Sequence, residues 1–416
     1  MQLIAHPPAA TPAAPLAVAS WPVWPVEALG YGEIVRRAYA GSDLSELTRR
    51  LVARLCGPLA DPAALLDLAT VLQLQGGDLA QEGRVMQQNA LRLQRSFAIR
   101  HGAGTGPRLL AFVTDGDFMA NVPLDFLLRG SDAVLILYFV DAETADLADL
   151  PGHDVAFLAI AEAPENALVL ARLGWLLAGW RGPIFNNAAA LIAALTRDCV
   201  SRFLAEVPGI YAPPTLRLSR QDLLATVLGE DLAVMEFPIV LRPIGSHAGA
   251  GLVRIEDRAA LAVWLRQSQE AEVYAAPFVD YRDAEGYYSK ARVVLIEGQA
   301  FASHLARSRQ WRVHYLNADM QAHPERRAAE AKWMAGFDTG FARRHAQAFA
   351  ALYEIFDLEY FGIDCAEMPD GRLLIFEVDV AMIVHDMDDE GLFPYKKPAM
   401  QKLFAGFLEA IAGAAP

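Results

Sequence analysis

Two acids interrupt the most apolar wording of the chain. In "LLIFEVDVAM", Leu373–Met382, Glu377 and Asp379 follow Leu373, Leu374, Ile375 and Phe376. Side chains of a strand alternate with period two, so Glu377 and Asp379 share a face. A third acid, Asp364, stands in "YFGIDCAEM", Tyr360–Met368, just before the turn residues Pro369-Asp370-Gly371. A hairpin around that turn brings Ile363–Cys365 near Phe376–Val378, so Asp364, Glu377 and Asp379 converge. Like charges in apolar surroundings repel and are costly to bury bare. A hard divalent cation, Mg²⁺ or Mn²⁺, satisfies such a set and commonly shares itself with phosphate oxygens. The competing reading is a solvent-facing sheet surface with scattered acids.

A second stretch has the chemistry of an anion site. "FPIVLRPIGSHAGAG", Phe237–Gly251, delivers Arg242 on an apolar run, then Gly245, Ser246, His247, Gly249 and Gly251. Glycines let a backbone turn tightly and aim several N–H groups at one anion, and a guanidinium adds permanent charge. An ordinary glycine-rich hairpin loop is the alternative. The spelling is neither a P-loop nor a dinucleotide fingerprint, because a strand and not a helix follows. A third stretch is basic and aromatic. "YYSKARVV" (287–294) puts Lys290 and Arg292 on one face of a strand. "SHLARSRQWRVHYLNADM" (303–320) adds His304, Arg307, Arg309, Arg312 and His314. Such a concentration suits an acidic substrate or an anionic transition state, or else forms a solvated basic strip.

Elements that position these residues follow from the surrounding pattern. Residues 26–100 read as all helical, with Asp61-Pro62 as a helix start and Gly76-Gly77 as a break. The helix–turn–helix wording is similar to one tetratricopeptide-type unit, a docking platform for a protein or peptide or else a plain bundle. Residues 107–205 alternate short apolar runs with helices, which predicts an α/β domain on a parallel sheet. "ALVLARLGWLLAGW" (167–180) predicts a buried helix and is too short to span a membrane. Residues 206–280 and 281–416 mix strands, tight turns and helices, hence α+β, with one helix expected through "TGFARRHAQAFAALYEIFD" (339–357).

The net charge of −14 argues against binding nucleic acid backbones or anionic membranes. Cys56, Cys199 and Cys365 are odd in number and far apart, which predicts neither a disulfide framework nor a zinc site and makes a cytoplasmic location the default. The proline-rich residues 1–25 predict a flexible extension and no export signal.

Taken in order, these motifs resemble the ATP-grasp superfamily of ATP-dependent carboxylate–amine ligases, and most nearly its glutathione synthetase and ribosomal-protein glutamate ligase branch. The resemblance runs from about Leu109 to Phe407. It is carried by "PIFNNAAALIAALTRDCVSRFLAEVPGIYAPPTLRL", "FPIVLRPIGSHAGAG", "KARVVLIEGQAFASHLARS" and "GIDCAEMPDGRLLIFEVDV". It implies a parallel-sheet domain before a two-subdomain ATP-grasp fold. It implies ATP in the cleft, with Arg242, Gly245, Ser246, His247, Gly249 and Gly251 at its phosphates. The hinge with Ala276 and Phe278 would line the adenine, and Lys290 falls at the ribose position. Magnesium would sit on Asp364, Glu377 and Asp379, and Arg292 and Arg307 would meet phosphate or the reacting carboxylate. Substrates would be a small-molecule or peptide carboxylate and an amine, with a homodimer open. Several positions depart from the pattern. Arg242 stands where a lysine is usual, Asp198-Cys199 where Asp-Lys is usual, with Arg197 the nearest cation, and Asp379 where Asn is usual. The alternatives are a degenerate module that binds a nucleotide or ligand without turnover, and a docking scaffold built on the helical segment.

Overall fold

Apolar runs near the start of the α/β region assemble into a six-stranded sheet. It contains β1 (Val26–Glu27), β2 (Ser96–Arg100), β3 (Arg108–Val113), β4 (Val134–Phe139), β5 (Val155–Leu158) and β6 (Ile184–Phe185), in the order β1-β2-β4-β3-β5-β6. The computed structural model describes residues 25–117, 119–229, 236–246 and 249–415. The expected extension up to residue 24 and the expected phosphate-loop residue His247 lie outside the described residues. β3 pairs in parallel with β4 and β5, and β5 with β6, as runs buried on both faces should. β1 and β2, however, lie in the segment 26–100 that the sequence predicted to be all helical, and β2 pairs antiparallel with β4, so the parallel strands of residues 107–205 are extended into a mixed sheet. The run "SFAIR" explains the difference. It buries Phe97, Ala98 and Ile99 in the sheet, yet it is too short to show a period of its own after a long helix.

The helices Tyr31–Tyr39, Ser45–Leu55, Pro62–Gln73 and Gly77–Leu93 precede β2. Asp61 caps the third, its carboxylate accepting from Ala64 N at 2.9 Å, with Pro62 at the first helical position. That helix is apolar on two sides. Ala63 and Leu66 pack into the core of the first sheet, while Ala64, Leu68 and Val71 pack with Ile34, Leu47 and Leu51. The helical segment therefore shares the sheet's core. The helix Ala167–Leu176 departs from its predicted burial: Val169, Leu170 and Leu173 are buried, but Leu168 and Trp175 are 73% and 67% exposed. Apolar residues on both sides had hidden its period.

Beyond β7 (Ile210–Tyr211) comes a four-stranded antiparallel sheet of β8 (Leu216–Ser219), β9 (Ile239–Pro243), β10 (Val253–Ile255) and β11 (Glu272–Pro277), ordered β10-β9-β11-β8. Leu223, Leu261 and Leu265 from two helices back it against Leu218, Leu241 and Val273. The third sheet holds β12 (Tyr288–Ile296), β13 (Gln299–Ser308), β14 (Tyr360–Glu367) and β15 (Leu373–Asp379), ordered β13-β12-β14-β15-β7. Glu297 and Gly298, at φ +46° and +78°, close the β12–β13 hairpin with the mirror-image turn that suits strand twist. The helix expected through residues 339–357 is interrupted at His345, separating Phe341–Arg344 from Ala346–Phe356. The fold class is the mixed α/β and α+β one expected. Among the described residues no helix is long and apolar enough to cross a membrane.

Candidate functional site

Register places a row of polar side chains across the third sheet. His304 on β13 pairs with Arg292 on β12, Arg292 with Asp364 on β14, and Asp364 with Glu377 on β15. Cross-strand partners point the same way, so the row lies on one face, with Lys290 and Asp379 two residues along their strands. A β-bulge makes the alignment. β14 and β15 keep one register up to Cys365↔Ile375 and resume at Asp364↔Glu377, so Ile375 and Phe376 together oppose Cys365. Plain pairing would have set Phe376 opposite Asp364 and turned Glu377 and Asp379 to the other face.

Asp364 and Glu377 of the row each meet a base of the chain. Arg292 Nε and Nη2 donate to Asp364 Oδ1 and Oδ2 at 2.9 and 3.2 Å, and Lys290 Nζ lies 2.7 Å from Asp364 Oδ2. Burial alone would raise the Asp364 carboxyl, but Arg292 and Lys290 hold it well below the usual carboxylate range. Arg197, which opens the helix Arg197–Phe203, pairs with Glu377 and donates from Nη1 to Phe376 O at 2.9 Å. Burial opposes ionisation of Glu377 too, and Arg197 and Arg242 overrule it downward. Asp379 Oδ1 accepts from Ala381 N at 2.8 Å.

The second sheet faces this row across a cleft. Arg242 on β9 is opposite Tyr274 on β11. Arg242 donates to Ser246 Oγ at 3.2 Å and to Ser246 O, and among the described residues it makes no ion pair. Burial and the neighbouring Arg197 push its guanidinium down to about 10. Gly251, at φ +67°, lets the loop fold back on β9: a Cβ there would lie 2.6 Å from Pro243 Cγ. A polar cavity is lined by Glu162, Arg197, Arg242, Gly245, Ser246, Glu377 and Asp379, among others. An adjoining cavity is walled by Ala276, Phe278, Tyr281, Trp311 and Val313 and also reaches Lys290. Arg197, Arg242, Tyr274 and Phe376 line both, so the two form one cleft.

The expected residues therefore separate into groups. Arg242, Gly245, Ser246, Glu377 and Asp379 meet at the polar cavity, and Ala276, Phe278 and Lys290 at the apolar one. Gly249 and Gly251 shape the loop without lining either. Asp364 and Arg292 lie in the row, bound to each other. Lys290, expected at a ribose, is on Asp364. Arg307 is not brought to the site. It pairs with Ser289, one residue out of phase with Lys290, so it leaves by the opposite face, where it meets Asp283 and Glu285 at 2.7 Å each and covers Tyr287.

The expected magnesium ligands do not fit a divalent cation as they stand. Both Asp364 oxygens and one Glu377 oxygen are engaged by guanidinium or ammonium. Among the described residues no group of three or more His, Cys, Asp or Glu side chains is disposed to hold a metal ion.

Sequence reasoning missed Glu162 and gave Arg197 only a minor part. Glu162 follows β5, at the carboxyl end of a parallel strand, where open α/β sheets bind ligands. Burial, and then Asp379, push its carboxyl up to about 7. The loop after β15 ties the site to the rest of the chain. Arg292 Nη1 donates to Ile383 O at 3.0 Å, and Asp386 pairs with Arg36 and Arg129.

No protein-family model and no curated protein matches the chain. Among solved structures it is similar to a RimK domain protein ATP-grasp from Sphaerobacter thermophilus DSM 20745, at 18% identity and a TM-score of 0.41, covering 73% of this chain and 99% of that one. It is similar to D-alanine–D-alanine ligase from Bacillus anthracis, also solved complexed with ATP, at 13% identity and a TM-score of 0.42, covering 74% and 97%. D-cycloserine synthetase DcsG is similar at 17% identity and a TM-score of 0.40, covering 71% and 99%.

Proposed function

We propose that the cleft binds ATP and that the chain is an ATP-dependent carboxylate–amine ligase. The observation that carries this is Arg242. Its guanidinium is half-buried, meets no carboxylate among the described residues, and stands where the apolar and polar cavities join. A cation in such a place is costly unless an anion completes it. An apolar pocket on one side and glycine-loop donors on the other are the parts a nucleoside polyphosphate needs: Ala276 and Phe278 for the base, Gly245, Ser246 and Arg242 for the phosphates.

The chemistry then runs in two displacements. A substrate carboxylate oxygen attacks the γ-phosphorus, the bond to the β–γ bridging oxygen breaks, and ADP leaves with that electron pair. An amine nitrogen next attacks the acyl carbon. Phosphate departs, and the surplus amine proton passes to water. The chain contributes positioning and fixed charge, not covalent steps.

Calorimetric titration with ATP, followed by ADP release against paired acids and amines, tests the reading. Wild-type protein is expected to bind ATP, and Arg242→Ala to bind it about 10- to 100-fold more weakly, the worth of a charged hydrogen bond or two. Wild-type protein that binds no ATP sinks the proposal. One observation favours a second reading, a nucleotide-binding module without turnover: Arg292 and Lys290 fully compensate Asp364. ATP binding without ADP release for any acid–amine pair supports that reading instead.

A further inference from the structure

The acids best placed for a divalent cation are held by bases from separate elements. Arg292, on the neighbouring strand, spends both oxygens of Asp364 in a forked pair, and Lys290 adds a third contact. Arg197 arrives from a helix 180 residues away in the chain and grips β15 at two points, the Glu377 carboxylate and the Phe376 carbonyl. Magnesium requires near-octahedral oxygen ligands at about 2.0–2.1 Å and gives up its waters reluctantly. A guanidinium already bonded to the same oxygen both occupies the ligand position and repels the metal.

We propose that Arg197, Arg292 and Lys290 close Asp364 and Glu377 to divalent metals, and that the cleft takes a polyphosphate anion without one, on Arg242. The nucleotide reading supplies only the identity of that anion, and the closure stands apart from it. The charge around the cleft supports this. Asp364 and Glu377 already have counter-ions, whereas Arg242 pairs with no acid among the described residues. The position open to a ligand is therefore a cation's partner and not an anion's.

Two measurements test it. Free Mn²⁺ is counted by electron paramagnetic resonance in nucleotide-free titrations of wild type, Arg197→Met and Arg197→Met/Glu377→Gln. Releasing Glu377 is expected to tighten Mn²⁺ at least about tenfold over wild type, and the second substitution to remove the gain. Lys290→Met, which releases part of Asp364, is expected to move in the same direction and serves if Arg197→Met does not fold. Equal Mn²⁺ affinity in wild type and the folded variants, whether tight or absent, overturns the closure. Separately, ATP is titrated calorimetrically in EDTA and in Mg²⁺. The two dissociation constants are expected to agree within about threefold, and a loss of about tenfold or more in EDTA overturns metal-free binding. Absence of ATP binding in both buffers sinks the nucleotide reading and metal-free binding with it, and the Mn²⁺ titration still decides the closure.

Discussion

Two sets of buried acids in this chain behave in opposite ways. Asp67 and Asp125, between the N-terminal helices and the first sheet, are 2% and 5% exposed, and Asp364 in the cleft is 3% exposed. Asp67 accepts from Leu29 N and Gly30 N at 2.9 and 3.2 Å, and Asp125 from Gly32 N at 2.6 Å. Backbone dipoles only partly offset the loss of water, and burial pushes Asp67 up to about 6 and Asp125 up to about 7. Around Asp364 the same burial is overruled by a guanidinium and an ammonium. Burial is equal, and the kind of compensation differs. Dipoles leave an acid that fastens a chain turn easier to protonate, whereas full charges keep the acid of the cleft ionised and bound to its own bases.

Arg292→Met should break the contrast most severely. It leaves the Asp364 charge buried with Lys290 alone, and the unfolding free energy in denaturant titration is expected to fall by about 3–5 kcal/mol, as when one partner of a buried pair is removed. A loss below about 1 kcal/mol would mean that Asp364 is not held as described.

Asp125→Asn sharpens the other side. The folded Asp125 carboxyl, at about 7, binds its proton more tightly than the unfolded one. Its stabilising effect is therefore full below the unfolded value and is lost as pH rises through the folded one. Against wild type, the Asn variant should lose stability on acidification from about pH 7 towards 4, by up to about 1.4 kcal/mol per pH unit. His101 Nε2 lies 3.3 Å from Asp125, and burial pushes that imidazole down to about 4. It acts in the opposite sense below about pH 6.5. Because His101 touches Asp125, the comparison is repeated with His101→Phe in both proteins, which removes its part from the difference, while Asp67, Glu33, Arg36 and Tyr31 also face Asp125. Parallel pH slopes for the two proteins would refute the assignment. Lys290→Met should have the smallest effect, about 1 kcal/mol, because the Arg292 fork remains.

The sequence made the acids legible because period two and a turn are local signals. Glu377 and Asp379 share a face for that reason, and the hairpin brings Asp364 near them, but the bulge that turns all three to one face has no local signal in the spelling. The strands of the first sheet were legible where they form long apolar runs, and "SFAIR" was not. Ala276 and Phe278 were named only through the resemblance, since nothing in their own spelling marks a cavity wall. Arg197 meeting Glu377 depends on packing between distant elements, which no local pattern records. Arg307 was misplaced because composition drew attention to a basic stretch whose strand parity sends alternate residues to opposite faces. The engagement of Asp364 by Arg292 required the order of three strands, which spacing alone does not supply.

The bulge on β15 has a consequence for how the chain can vary in length. Because Ile375 and Phe376 together answer Cys365, the strand carries one residue more than its pairing uses. A descendant lacking either would pair without interruption and still set Asp364 opposite Glu377. One with an added residue there would need a second irregularity or would turn both acids into the core. Spacing between the apolar run and the acids is thus free to drift in one direction only, and kindred chains are to be aligned with a gap allowed in mid-strand.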